Sequence, residues 1–225
     1  HEILKYNKDI TRQVLEYNIY KLNQDNKVVI IKDRYYLKEF YEAEQYIAYK
    51  LCFLNDMEKS KLPNLEDKIK ELESRNGIVY DKIQRLAIKT SLNNNLTIIT
   101  GGPGTGKTTI IKAIVSLFSE VFHAKEEEIA LLAPTGRAAK KMMETTNLKA
   151  STIHKYLGWD KDANKFCVTE YNPNPEKYII VDEVSMLDTI ITEALLKGTR
   201  RDIKLILELQ KCIKKYFEIF DNEIN

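Results

Sequence analysis

Apolar residues change their spacing along the chain, and this change divides it into two parts. In the first 76 residues they recur mainly at helical spacing, over residues 9–23 and 38–54. Two short apolar runs flank a polar turn within residues 27–37 and predict a hairpin. Asn76-Gly77 offers the left-handed conformation that commonly ends a helix. The pattern therefore predicts a small, mainly helical domain with a short hairpin, in outline winged-helix-like, over residues 1–76.

Beyond Gly77 short apolar runs alternate with helical patterns, which is typical of an α/β fold with a parallel sheet flanked by helices. The polar stretch 160–175 contains two prolines and is expected to be an excursion on the surface. The charged, aromatic segment that ends at Asn225 is predicted to be helical. The predicted helices are residues 81–92, a helix that ends at 122, and 137–144, and the predicted strands are 96–100, 129–132, 177–181 and 203–207.

A glycine-rich run lies between the strand at 96–100 and the helix that follows it. Its glycines let successive backbone N–H groups point at phosphate oxygens, and the helix adds the positive end of its dipole. Lys107 is expected to reach the β- and γ-phosphates of ATP, and the Thr108 hydroxyl to ligate Mg²⁺. A glycine-rich turn with a chance lysine is the alternative, and the flanking strand and helix argue against it. The predicted nucleotide-binding residues of the loop are Gly102, Pro103, Gly104, Thr105, Gly106, Lys107, Thr108 and Thr109.

Two acidic residues follow the strand at 177–181 directly. Ligands of parallel sheets bind at the carboxyl ends of the strands, so this pair is expected beside the glycine-rich loop. Asp182 would hold Mg²⁺ and Glu183 would polarise the attacking water. A solvated pair of acids at a strand end is the alternative. Gln84, on the helix before the loop, can read adenine through its amide or can simply be an exposed helical glutamine, and the residues alone do not decide between these readings.

Composition and charge exclude only a few kinds of partner and site. The 225 residues are 44% hydrophobic with a formal net charge of +2, so nucleic acid is permitted but would have to be held by local clusters of Lys and Arg. The three cysteines, Cys52, Cys167 and Cys212, are widely separated, which argues against a disulfide framework or a zinc site and favours a reducing, cytoplasmic location. No apolar run reaches the length of a membrane span, so no membrane partner is expected.

Five segments resemble, in order, the Q motif and motifs I, Ia, Ib and II of RecD-like superfamily 1 DNA helicases. The residues before the motor, 35–48, resemble the corresponding segment of the same family. The resemblance implies that residues 77–225 form a first RecA-like ATP-binding domain that is incomplete at its C-terminal end. It also implies an ATP hydrolase that drives strand separation, with 5′→3′ translocation on single-stranded DNA. The five segments are residues 84–88, 100–109, 132–140, 151–158 and 181–186.

The resemblance assigns roles residue by residue. It implies that Gln84 contacts adenine, that Thr108 and Asp182 hold Mg²⁺, and that Lys107, Asp182 and Glu183 are catalytic. It implies partners in single-stranded DNA and in other recombination and repair proteins. Without it, the two threonines of the DNA set would simply cap helix starts. Trp159 could stack on a base, but its position beside Leu157 favours a place in the core. The implied DNA-binding residues are Pro134, Thr135, Arg137, Thr152 and His154.

The sequence departs from this family after Leu207. A Gly-Asp and a Gln-Leu-Pro motif are expected there, whereas the chain continues Glu208-Leu209-Gln210. A second motor domain and its arginine are also absent from the 225 residues, and the chain does not begin with Met, so a fragment is expected. Arg200 and Arg201 are expected to be exposed charges rather than replacements. The alternatives are a truncated product that binds ATP and DNA but turns over little, and a different P-loop ATPase, which gives no reason for the DNA segments.

Overall fold

The computed structural model describes residues 11–102 and 104–209, and the chain divides into two compact units, His1–Ile47 and Ala48–Asn225. This structural division lies 29 residues before the predicted domain boundary at 76/77, inside a helix, and the predicted boundary stays a prediction. In the first unit, helix α1 (Arg12–Gln24) is followed by the antiparallel hairpin β1 (Val28–Ile31) and β2 (Arg34–Leu37). Helix α2 (Lys38–Asp56) begins directly after it.

The second unit contains a five-stranded sheet made of β3 (Leu96–Thr100), β4 (Ile129–Ala133), β5 (Ala150–Thr152), β8 (Tyr178–Val181) and β9 (Lys204–Leu209). The order of the strands is β3-β9-β8-β4-β5, and every neighbouring pair is parallel. This arrangement confirms the predicted α/β fold with a P-loop and a RecA-like parallel sheet. The helices are α3 (Leu65–Asn76), α4 (Lys82–Asn93), α5 (Lys107–Phe122), α6 (Gly136–Thr146), α7 (Ile153–Tyr156) and α8 (Thr189–Lys197).

The core of this unit forms where α5 packs on the sheet. Its apolar residues recur three or four positions apart and so share one buried face. Phe118 is fully buried, and its ring centroid lies 4.6 Å from that of Tyr178 on β8. All four residues of β8 are buried, which explains why this strand reads as a continuous apolar run rather than an alternating one. The core therefore fixes the strands whose ends carry the candidate site.

Helix α8, strand β5 and a hairpin within residues 159–166 were not predicted. Strand β5 has only three residues, two of them Ser151 and Thr152, so it carries no periodic signal and is defined by its pairing with β4. The stretch 160–175 was predicted as an excursion on the surface, and its start belongs to a small antiparallel hairpin, β6 (Trp159–Asp160) and β7 (Lys165–Phe166). Two-residue strands lie below the length at which alternation can be recognised.

The described residues contain no helix that is both long and apolar enough to cross a membrane. The predicted last strand, residues 203–207, is observed as β9 and continues to Leu209. The predicted helix after it lies outside the described residues, which end at 209, and so does the start of the first predicted helix, at residues 9 and 10.

Lys204, the first residue of β9, is a buried lysine whose replacement tests the cost of burying its charge. It is 6% exposed on β9, its Nζ donates to the Asn94 carbonyl oxygen at 3.1 Å, and it lies 5.3 Å from the Phe122 ring centroid. Burial, with a contribution from the charge of Lys177, lowers the pKa of Lys204 to about 8. An unfolded lysine keeps a pKa near 10.4, so between about pH 8 and pH 10 the unfolded state binds more protons than the folded state. The destabilisation caused by burying Lys204 therefore decreases as the pH rises through this range.

Lys204→Met is therefore expected to raise the free energy of unfolding at pH 7 by roughly 1 kcal/mol, after allowance for residual solvent screening and for the lost hydrogen bond. The difference between variant and parent should shrink as the pH rises toward 10. Urea unfolding at pH 7, 8, 9 and 10 measures both effects. A gap that stays constant or widens with pH would show that Lys204 does not carry this penalty.

Candidate functional site

One edge of the sheet collects nearly all of the predicted site residues. Because the five strands are parallel, the segments that follow them lie at the same edge, in the order of the strands. Glu208, near the end of β9, lies between the glycine-rich loop and the acidic pair in this order. The segments, taken from one side of the sheet to the other, are residues 101–106 after β3, 208–209 in β9, 182–183 after β8, 134–137 after β4, and 153–154 after β5.

The glycine-rich loop has the backbone that the sequence predicted. Gly104 and Gly106 both have φ of +78°, a conformation that side chains rarely adopt. A Cβ on Gly106 would lie 2.5 Å from Nε2 of Gln84, so the end of that flexible side chain would have to move. Gly106 is the N-cap of α5 and provides no side-chain cap, which leaves the first-turn N–H groups available for an anion. Pro103 lies outside the described residues.

Lys107 begins α5 and folds back over the loop. Its Nζ donates to the carbonyl oxygens of Gly101 and Gly102, at 2.7 and 3.0 Å. The same ammonium lies 3.1 Å from Oε1 of Glu208. Thr108 and Thr109 follow in the first turn of the helix and are half-buried. Among the described residues, the ammonium therefore has three oxygen neighbours.

Asp182 and Glu183 follow β8 directly, and the chain bends at Asp182. The Asp182 N–H donates to the Leu132 carbonyl oxygen at 2.9 Å, and the Glu183 N–H donates to Oδ1 of Asp182 at 3.0 Å. Burial raises the pKa of Asp182, against the opposing effects of that hydrogen bond and of Lys141 and Lys107. Glu183 has a left-handed backbone, with φ of +53°. This conformation is costly for any residue other than glycine, and such strained residues are concentrated at functional sites.

Gln84 lies against the loop rather than in solvent. Its Oε1 accepts from the Asp81 N–H at 3.1 Å, and its Nε2 donates to the Thr105 carbonyl oxygen at 3.4 Å. The next residue, Arg85, anchors the helix, because it pairs with Glu66 at 2.7 Å and with Glu73 at 2.5 Å. The Gln84 side-chain amide is therefore held at the loop by its bond to the start of its own helix and by the ion pairs that anchor that helix. The adenine contact stays a prediction.

The two segments predicted to contact DNA begin neighbouring helices. Thr135 caps α6 by accepting from the Ala138 N–H at 3.2 Å, and Thr152 caps α7 by accepting from the Lys155 N–H at 3.3 Å. The capping that the sequence offered as the alternative therefore occurs in both. Pro134 is half-buried and Arg137 is exposed.

Strands β4 and β5 bring these segments together, because Ala133 pairs with Thr152. His154 is exposed, and its ring centroid lies 6.1 Å from that of Trp159 and 5.8 Å from that of Phe166, on the β6–β7 hairpin. Trp159 is 37% exposed, so it is not the core side chain that its sequence context favoured. The DNA contacts of this surface stay predictions.

Sequence reasoning missed Glu208. A charged residue within the apolar run of β9 was an available signal, but it was read only as a departure from a motif. In the structure Glu208 is 1% exposed and contacts the two parts of the predicted site, Lys107 and Glu183.

Comparisons with known proteins identify similar sequences. The sequence model of the AAA domain family matches residues 84–207, more than half of the chain. The RecBCD enzyme subunit RecD of Buchnera aphidicola subsp. Schizaphis graminum is 31% identical over 198 residues, which are 80% of this chain and 32% of that protein. The subunit RecD of Mycolicibacterium smegmatis is 35% identical over 144 residues, 55% of this chain and 26% of that protein.

The ATP-dependent RecD2 DNA helicase of Deinococcus radiodurans is 37% identical over 114 residues, 51% of this chain and 15% of that protein. These similarities confirm the predicted resemblance to RecD-like helicases. The chain spans about a third or less of the length of these relatives.

Proposed function

Because the chain belongs to the AAA domain family, whose sequence model matches residues 84–207, we propose that it binds Mg-ATP at the glycine-rich loop and acts as part of an ATP-dependent DNA helicase of the RecD type. One observation carries this proposal: the loop, its lysine and the acidic pair meet at one edge of a parallel sheet. In the whole protein, ATP hydrolysis would drive the separation of DNA strands.

The residues at the loop fit a nucleotide. The left-handed glycines and the uncapped start of α5 form a cradle for phosphate oxygens, with Lys107 positioned to contact the β- and γ-phosphates once it leaves the loop carbonyls. Thr108 and Asp182 would hold Mg²⁺, directly or through water, and the bound ion would neutralise phosphate charge. Gln84 would contact adenine.

Glu183 would act on the attacking water. Its backbone N–H is fixed by Asp182 and by Glu208, so the position of the residue at the strand end is well defined. A carboxylate held beside the γ-phosphate can orient a water for in-line attack and accept its proton. Lys107 would stabilise the charge that develops on the phosphate oxygens.

We place single-stranded DNA across the ends of β4 and β5. Capped helix starts, hydroxyls and an exposed arginine are common contacts of the phosphate backbone, and exposed aromatic rings such as Trp159 offer stacking surfaces. Two relatives named above are subunits of the RecBCD enzyme. Recombination and repair proteins are accordingly the partners that we propose, and a cytoplasmic location is part of the same proposal.

Single-stranded DNA binding is expected to be weak and sensitive to salt. Fluorescence anisotropy with a labelled oligonucleotide should show log affinity falling with log salt concentration at a slope equivalent to roughly two or three phosphates. Arg137→Ala should reduce the slope by about one phosphate. The matched control is Lys125→Ala, since Lys125 is an exposed lysine before β4, at the opposite edge of the sheet. This substitution should change neither the affinity nor the slope. A preference for duplex over single strand would count against the helicase proposal.

The alternative is a chain that binds ATP with little turnover. Arginine fingers contribute about 10³ to 10⁵ in rate in related phosphoryl transfer. Neither Arg200 nor Arg201 is placed to act as one, since Arg200 donates to both carboxylate oxygens of Asp202 at 3.1 Å and Arg201 lies 4.6 Å from the Phe53 ring centroid. Phosphate release by the purified 225-residue chain should accordingly be slow and barely stimulated by single-stranded DNA, and vigorous stimulation would exclude this alternative.

A further inference from the structure

Glu208 is a charged residue in a strand of apolar ones. Strand β9 lies between β3 and β8, and within it Glu208 pairs with Ile99 of β3, one position beyond the pairing of Leu207 with Val181. The register therefore places the carboxylate at the edge of the sheet, between the glycine-rich loop and the acidic pair. The residue is 1% exposed.

The two oxygens of this carboxylate have different neighbours. Oε2 accepts from the Glu183 N–H at 3.1 Å. Oε1 lies 3.1 Å from Nζ of Lys107, but it receives no aligned hydrogen bond from the described residues. One buried side chain thus joins the lysine of the loop to the backbone of the residue proposed to act on water. Its second oxygen has an ion-pair contact and an unmet capacity for hydrogen bonds.

We infer that Glu208 is a positioning residue of the nucleotide site, which holds Lys107 on the loop and has to lose that lysine to the phosphates when ATP binds. This inference rests on the proposed function. A buried carboxylate is costly unless a cation pairs with it, and Lys107 supplies that cation. The ion pair therefore stabilises the site without nucleotide.

The same charge opposes binding. A phosphate group that contacts Lys107 comes within a few ångströms of the Glu208 carboxylate, and like charges repel strongly where water is excluded. The lysine must also exchange one anionic partner for another, so part of its attraction for phosphate is already offset. Removal of the charge at residue 208 should therefore increase affinity for ligands with β- and γ-phosphates and leave other ligands unaffected.

Glu208→Gln tests this inference, because it keeps the shape of the side chain and an oxygen for the Glu183 N–H while it removes the charge. Titration with a fluorescent ATP analogue in the presence of Mg²⁺ is expected to show about tenfold tighter binding than the parent chain. Affinity for AMP, measured by calorimetry, should change less than twofold, because AMP lacks the phosphates that contact Lys107. A purely structural role would change both affinities together or neither.

Glu193→Gln is the matched control, since Glu193 pairs with Lys197 on α8, outside the site. It should leave ATP affinity unchanged. Circular dichroism establishes whether each variant is folded, and if Glu208→Gln is not, Glu208→Leu is used and should also bind ATP more tightly. Equal or weaker ATP affinity in a folded variant overturns the inference and would assign the carboxylate a supporting role in binding. Absence of ATP binding by the parent chain would instead refute the proposed function.

Discussion

Replacement of Lys107 by alanine should weaken Mg-ATP binding by at least about 100-fold. Charge-assisted hydrogen bonds to phosphate contribute roughly 1.5–3 kcal/mol each, and Lys107 is positioned to make more than one at the start of α5. Its side chain is only 13% exposed, so water screens the interaction poorly. Titration of the parent chain and the variant with a fluorescent ATP analogue measures the loss.

Lys112→Ala is the matched control for this substitution. Lys112 lies five residues further along α5 and is exposed, so its removal changes net charge equally without touching the loop. Because Lys107 also donates to two loop carbonyls, thermal unfolding of both variants should be compared with that of the parent. A folded Lys107→Ala chain that binds the analogue as tightly as Lys112→Ala would refute the proposed role of the loop.

Glu183→Gln should reduce the rate of ATP hydrolysis by about 10² to 10⁴, the usual contribution of a general base, while ATP affinity stays within about twofold. Two of the contacts that hold this residue in place come from its backbone N–H, and the substitution leaves these two intact. Phosphate release under single-turnover conditions, with chain in excess of ATP, makes even slow hydrolysis measurable.

Glu170→Gln is the control for this experiment, because Glu170 is an exposed carboxylate outside the sheet edge. It should leave both hydrolysis and binding unchanged. If Glu183→Gln hydrolyses ATP at the rate of the parent chain, the assignment of Glu183 is wrong. If binding is lost together with hydrolysis, the residue holds the nucleotide rather than the water.

The parts of the fold that the sequence predicts best are those with a local cause. Strand β8 is buried on both faces and reads as an unbroken apolar run, and α5 shows its buried face as apolar residues three and four positions apart. The glycine-rich loop also has a local cause. The φ of +78° at Gly104 and Gly106 favours glycine whatever the rest of the fold is. The parallel strands also explain why the acidic pair lies at the same edge of the sheet as the loop, whereas its distance from the loop depends on the strand order.

Features that depend on distant partners could not be predicted in this way. Strand β5 exists because β4 offers it a pairing edge, and nothing in Ala150-Ser151-Thr152 distinguishes it from a loop. Glu208 carries no local signal of its role either. Its contacts with Lys107, 101 residues earlier in the chain, and with Glu183 arise only when β9 inserts between β3 and β8. Gln84 shows the same limit, since only the fold brings its amide to Thr105.

We expect this chain to carry one Mg-ATP site built on Lys107. Calorimetric titration of the purified 225-residue chain with ATP in the presence of Mg²⁺, alongside Lys107→Ala, measures this binding. The predicted result is saturable binding of about one nucleotide per parent chain that Lys107→Ala loses and that chelation of Mg²⁺ weakens. No saturable binding to the folded parent chain, or binding that survives Lys107→Ala unchanged, would contradict the claim.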